Sequence, residues 1–220
     1  MLKKLLLCGA FTIPFIFSAQ EISKQPKISI IPSAGFAWRT AELPSGLTNE
    51  ERNYIKGLKT GFNFDIGAYY HLNGPVAIGV KYSHYSASSD GRISVINNAG
   101  NAVTAMINTK DNITFFGPGF MISNYNESTK HKMSLDLALG VITYTTKTGS
   151  VKGTGSNLGA EIDFAYQYQI SRNFLIGPKL GLTGGTLSKM KYNGVTYNFD
   201  EDQKEGLSRV SLSVAATFRF

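Results

Sequence analysis

The chain has 220 residues, one cysteine, and 22 Lys or Arg against 15 Asp or Glu, for a formal charge of +7. A single cysteine excludes a small disulfide-stapled scaffold. The charges alternate in sign and gather into no basic stripe, so the composition does not support nucleic-acid binding.

The first segment is MLKKLLLCGAFTIPFIFSAQ. Lys3 and Lys4 form a positive start, Leu5 to Phe17 an apolar stretch, and Ser18-Ala19-Gln20 a small-residue exit. This is the pattern of a cleavable secretory signal peptide over 1–20, with cleavage near Ala19 or Gln20. The apolar stretch is shorter than the roughly 20 residues a spanning helix needs. Cys8 lies inside it, so a lipoprotein signal does not fit. Export leaves a domain over 21–220 with no cysteine and a formal charge of +5.

From there the chain alternates apolar and polar residues, the period of a β-strand with unlike faces. Over 27–39, Ile28, Ile30, Ala34, Phe36 and Trp38 share a face. Over 58–72, Leu58, Phe62, Phe64, Ile66, Ala68, Tyr70 and Leu72 oppose Lys59, Gly61, Asn63, Asp65, Gly67 and His71. Over 76–86, Val76, Ile78, Val80 and Tyr82 oppose Gly79, Lys81 and Ser83. The alternation blurs over 113–123, sharpens over 133–143, and is unbroken over 158–170. Strands over 174–184 and 207–220 complete a set of eight. The connections 73–75 and 171–173 are tight and 124–132 is of medium length, whereas 40–57, 87–112, 145–157 and 188–206 are long and polar. Within 87–112, residues 92–107 read as a hairpin turning at Asn97 to Asn101, extending the sheet and offering an edge to an extracellular protein partner.

Alternation alone does not say which face is inside. Three features put the apolar face in lipid. Glycines crowd the polar face, which suits a narrow barrel interior. The polar face carries both signs, Lys59, Lys81, Lys179, Arg209 and Arg219 with Asp65, Asp136, Glu161 and Asp163. Enclosed charges must pair, so these are expected to form a network that plugs the lumen. Aromatics on the apolar face gather at strand ends: Trp38 and Tyr82 beside the long loops, Tyr70 and Tyr168 beside the short turns, with Phe174 and Phe220. That is the placement of interface girdles. The expected fold is an all-β, eight-stranded antiparallel up-and-down transmembrane β-barrel with short turns in the periplasm.

The chain closes Ala216-Thr217-Phe218-Arg219-Phe220. These residues resemble the C-terminal signal by which outer-membrane β-barrels engage their assembly machinery. With the leader and the strands, nearly the whole mature chain resembles the small OmpX-like and OmpA-transmembrane-domain-like barrels and their porin-family relatives. The resemblance implies a place in the outer membrane, lipid and lipopolysaccharide as surroundings, and Phe218 and Phe220 as the assembly signal. It fixes architecture better than activity.

One pair of residues raises the question of catalysis. His84 and Ser86 sit two apart on the lipid face near the outer rim. Lipid A deacylase barrels are similar in using a His-x-Ser pair with an acidic partner. Here Ala87 stands where that family typically has Asn, the pair is in the third strand, and Leu58, Thr60, Thr114 and Phe116 offer no carboxylate. The expectation is therefore a non-enzymatic barrel with a structural, adhesive or narrow-channel role, the alternatives being a lipid-A hydrolase using His84 and Ser86 or a small-solute porin. No cofactor is expected, and no metal: His71 and His131 lack ligand spacing. The stretch 153–159 matches a phosphate loop by composition only and reads as a flexible loop, and 200–205 reads as a solvated acidic run.

Overall fold

A computed structural model describes residues 25–43, 46–72, 74–96, 102–200 and 204–220, with 93–96 and 102–103 described by backbone alone. The expected leader over 1–20 and the expected turn over Asn97–Asn101 lie outside the described residues. In chain order the elements are β1 (Ile28–Arg39), α1 (Asn49–Lys59), β2 (Thr60–His71), β3 (Val76–Ile96), β4 (Ala102–Ser123), β5 (His131–Thr148), β6 (Val151–Ser171), β7 (Phe174–Leu187), β8 (Lys189–Tyr192), β9 (Val195–Asn198), β10 (Glu205–Gly206) and β11 (Arg209–Arg219).

Eight of these strands close a barrel. β1 to β7 pair antiparallel in chain order, and β11 pairs with both β7 and β1. The C-terminus completes the seam: the Phe220 amide donates to the Ile28 carbonyl at 2.9 Å, and the Phe220 carbonyl accepts from Lys27 at 2.7 Å. Closure leaves no free edge within the wall, the condition for a sheet to cross a bilayer.

The apolar face is outside. Phe36, Trp38, Phe62, Phe116, Leu139, Val141, Leu158, Ile170, Leu212 and Val214 are all exposed, several by half or more, while every charged residue in the middle of the wall is buried. A belt of this extent has no counterpart on a water-facing monomer and matches lipid. Exposed aromatics are spread over the belt: Trp38 lies at the end where the long connections emerge, Tyr70, Tyr168 and Phe220 at the other, and Phe64, Tyr82 and Phe164 between them.

The long connections are mostly structured, which corrects the reading of them as loops everywhere but at 92–107, where the expected hairpin is present as an extension of the sheet. Residues 87–112 are the continuation of β3 and β4, paired without a break from Val76↔Ile122 to Ile96↔Ala102. Residues 145–157 are likewise the upper parts of β5 and β6, so 153–159 is strand and not a flexible loop. Gly149, at φ +57, takes the first position of their two-residue turn, as a type II′ hairpin requires. β8 and β9 form another hairpin around Asn193-Gly194, both at positive φ. Within 40–57 the surprise is α1, begun by a capping box: the Thr48 side chain accepts from the Glu51 amide, and the Glu51 carboxylate accepts from the Thr48 amide at 2.9 Å. These bonds hold the exposed Glu51 carboxyl below the usual range. The helix lies over the inner face of the β3–β4 hairpin, where Tyr54 donates to Thr109 at 2.5 Å and Tyr85 donates to the Leu58 carbonyl at 2.8 Å.

Candidate functional site in the barrel lumen

Inward positions of the eight strands build the lumen in three tiers. The middle tier is ionic. Lys81 on β3 reaches Asp136 and Glu161 at 3.2 Å each and also bonds Asp163. Lys179 on β7 reaches Asp65 and Asp163 at 2.8 Å each. Arg209 on β11 donates to the Ser83 hydroxyl at 2.8 Å and lies 3.8 Å from Glu161. Asp163 thus joins two ammonium groups, and Glu161 links a lysine and an arginine. Neutral donors complete the set: Ser33 and Asn63 donate to Asp65, Ser83 and Thr183 to Glu161, and Tyr69 to Asp136. Charges removed from water need partners and hydrogen bonds together; this tier supplies both to the two lysines, while Nε and Nη1 of Arg209 and Oδ1 of Asp136 are buried without a hydrogen-bond partner.

Small residues make the tier fit. A Cβ on Gly79 would lie 2.0 Å from the Ala68 carbonyl oxygen and 2.8 Å from the Tyr69 ring; one on Gly119 would lie 2.9 Å from the Tyr69 hydroxyl. The phenol that holds Asp136 therefore occupies a slot that only glycines leave open. Beside it is a cavity of about 20 Å³, bounded by Asp65, Tyr69, Lys81, Asp136, Asp163 and Lys179. That is room for one water and far from a conduit.

The lower tier is polar. Tyr125, from the β4–β5 connection, folds into the barrel mouth and donates to Gln167 at 2.8 Å and Ser134 at 3.1 Å. Arg219 donates to the Tyr125 carbonyl at 2.8 Å and to Asn126 at 2.5 Å. The Ser29 hydroxyl and the His71 ring meet at 2.7 Å. The upper tier is apolar: Tyr85, Ile113, Phe115, Ile142, Leu187, Met190 and Leu207 pack as one buried cluster. At its edge Arg39 bonds Glu205, reaches Asp111 at 3.4 Å and stacks 5.3 Å over the Tyr144 ring.

Of the charges expected in the network, the structure brings together Asp65, Lys81, Asp136, Glu161, Asp163, Lys179 and Arg209. Lys59 is a correction: it ends α1 and donates to the Ala41 carbonyl, because the chain is still helical there. Arg219 belongs to the lower tier. Sequence reasoning misses the apolar upper tier, since Phe115 and Phe116 are adjacent and serve opposite faces. It misses the Arg39–Asp111–Glu205 group because Asp111 falls in a stretch that reads as a loop.

His84 and Ser86 are half-buried on the outward face. Their cross-strand neighbours are Phe64 and Thr114 for His84, and Phe62 and Asn112 for Ser86. None is a carboxylate. His71 is inside the wall, whereas His131 is outside, its ring 2.6 Å from the Tyr166 hydroxyl. Of 200–205, Glu205 is the β10 residue held by Arg39, and 201–203 lie outside the described residues.

No family model matches the chain, and no curated protein does. Solved structures do. Neisserial surface protein A is similar with a TM-score of 0.55 at 14% identity, over 88% of this chain and 97% of that one. A major outer membrane protein from Thermus thermophilus is similar with a TM-score of 0.52 at 12% identity, over 88% of this chain and 99% of that one. Together with the closed wall, the apolar belt and the filled interior, these likenesses establish that the chain has the fold of the small outer-membrane β-barrels.

Proposed function

We propose that the protein is a non-enzymatic integral outer-membrane protein, a sealed barrel that anchors and displays its extracellular crown. The observation that carries this reading is the lumen: an apolar cluster, an ionic network and a polar group of buried side chains follow one another along it, which supports a role in stability over one in passage. What remains available to other molecules is the outer surface, above all the β3–β4 hairpin that stands beyond the belt. That hairpin offers backbone edges to an extracellular protein partner, because β2 leaves β3 above Ser86 and β5 leaves β4 above Thr109. Phe218 and Phe220 at the periplasmic margin serve as the assembly signal.

The non-enzymatic part is tested on lipid A, the acylated lipid that His84 and Ser86 face. A serine nucleophile needs a base, and that base an orienting group. The outward neighbours of this pair supply phenyl rings, a hydroxyl and an amide. Mass spectrometry of lipid A from cells expressing the wild type, His84→Ala or Ser86→Ala should give one acylation pattern. Loss of an acyl chain with the wild type alone would replace this function with a hydrolase.

A further inference from the structure

Outward residues of β4, β5 and β6 climb from the belt in matched rows. Phe116, Val141 and Leu158 stand directly opposite one another in the last apolar row. Thr114, Thr143 and Ser156 form the next, with the Thr143 and Ser156 hydroxyls 3.0 Å apart. Asn112, Thr145 and Thr154 follow, and β8 adds Lys191 opposite Thr154. Above them Lys110, Lys147 and Lys152 oppose one another across three strands. Lys189 lies on the same face of β8, two residues nearer the membrane. All five lysines are exposed.

Like charges directly opposite on neighbouring strands repel. Among the described residues, none of the five lysines is in an ion pair, and the acid on this face, Asp90, instead accepts a hydrogen bond from Asn108 at 2.7 Å. The patch is also one-sided. β1, β2, β7 and β11 end near the upper margin of the belt and carry no wall above it.

From these rows we infer that the outward β4–β5–β6–β8 wall binds the phosphorylated saccharide headgroup of lipopolysaccharide. The inference rests on the outer-membrane reading and deepens it. Height selects the ligand. A row rises about 6.8 Å along the strand, and a tilt of roughly 40° reduces that to about 5 Å of height. The hydroxyl-rich rows therefore stand about 5 and 10 Å above the last apolar row, and the lysine row about 15 Å above it. A phospholipid headgroup region extends only about 5–7 Å beyond the hydrocarbon, so its phosphate stays at the first hydroxyl row, level with Lys189 and below Lys191 and the row of Lys110, Lys147 and Lys152. A lipid that carries phosphates on stacked sugars presents hydroxyls to the Thr, Ser and Asn rows and anions to the lysines beside and above them. The surface is continuous with the belt that holds the same lipid's acyl chains.

The experiment compares the purified full chain with a variant combining Lys110→Gln, Lys147→Gln and Lys152→Gln. In detergent without lipid, the variant should unfold at the wild-type temperature or higher, because three mutually repelling charges are gone. Its affinity for lipopolysaccharide should fall roughly 100-fold, at about fivefold for each lysine facing an anionic surface. The corresponding triple Lys→Arg variant should keep wild-type affinity, and dephosphorylated lipopolysaccharide should bind wild type and Gln variant equally weakly. A lipopolysaccharide affinity unchanged by the Gln substitutions overturns the inference. So does phosphatidylglycerol in vesicles that matches lipopolysaccharide, or a sulfated polysaccharide whose binding alone depends on the lysines. These outcomes count against the inference alone so long as the wild type migrates as a heat-modifiable barrel; failure to do so would overturn the outer-membrane reading as well.

Discussion

Asp163 shows what a single side chain does in this barrel. It touches two lysines from different strands, and both of its neighbours in charge, Asp65 and Glu161, depend on those same lysines. Replacing it with Asn removes the one acid that bonds both lysines and leaves Lys179 with Asp65 as its only ion-pair partner among the described residues. Breaking a buried pair from one side costs about 3–5 kcal/mol, so urea unfolding from lipid vesicles should show Asp163→Asn destabilised by that order. Asp90→Asn, on the exposed hairpin, should be nearly neutral. Equal effects would mean that the lumen charges are solvated and not interlocked. The identity of this network was largely legible in the sequence, because strand period alone puts Asp65, Lys81, Asp136, Glu161, Asp163, Lys179 and Arg209 on one face. Which acid meets which base was not legible, since that depends on how far each strand is shifted along its neighbour. Tyr69 was not legible either: its slot exists only because glycines from two neighbouring strands converge on it.

At the scale of elements, the membrane-crossing strands declared themselves and the crown did not. A strand between lipid and a polar lumen must alternate strictly, whereas one between water and a loop has no such constraint. Most of the upper parts of β3 to β6 therefore reads as polar loop, although β3 pairs with β4 and β5 with β6 to their tips; the exception is 92–107, which reads as a hairpin and is paired as one. The helix had a signal that went unused, Thr48 three residues before Glu51. Its cap also makes the helix pH-dependent. The Glu51 carboxyl is held below its ordinary value of 4.5, so the folded helix binds fewer protons than the unfolded segment. The cap's contribution is then complete above that value and is lost as pH falls through the lowered one. Hydrogen exchange of the α1 amides should accelerate on acidification in the wild type, and Glu51→Gln should abolish the dependence. Thr48→Ala should cost about 1 kcal/mol of local helix stability at neutral pH. A helix indifferent to both changes would show that contacts with the β3–β4 hairpin hold it and that the cap does not.

For the molecule as a whole, β1 and β11 meet at one seam from Ser29↔Arg219 to Arg39↔Arg209, and the backbone of Phe220 extends it. Phe220 is half exposed at the short-turn margin while its backbone pairs with β1, and the Phe218 and Phe174 rings lie tilted at 5.2 Å. Deleting Phe220 should reduce outer-membrane levels far more than the roughly 1.5–3 kcal/mol of one buried ring suggests; levels equal to wild type by fractionation and blotting would remove its role as an assembly signal. The central claim, however, concerns the interior: an apolar tier, an ionic tier and a polar tier leave no continuous water path through an eight-stranded wall. Planar-bilayer recording of the purified protein tests it most directly. The wild type should give no large, stable, porin-like conductance, and Glu161→Ala, which strips partners from Lys81, Arg209, Ser83 and Thr183, should destabilise the barrel or admit ion flicker. A large, steady, water-filled conductance from the wild type would contradict the sealed lumen and with it the reading of this protein as an anchor for its crown.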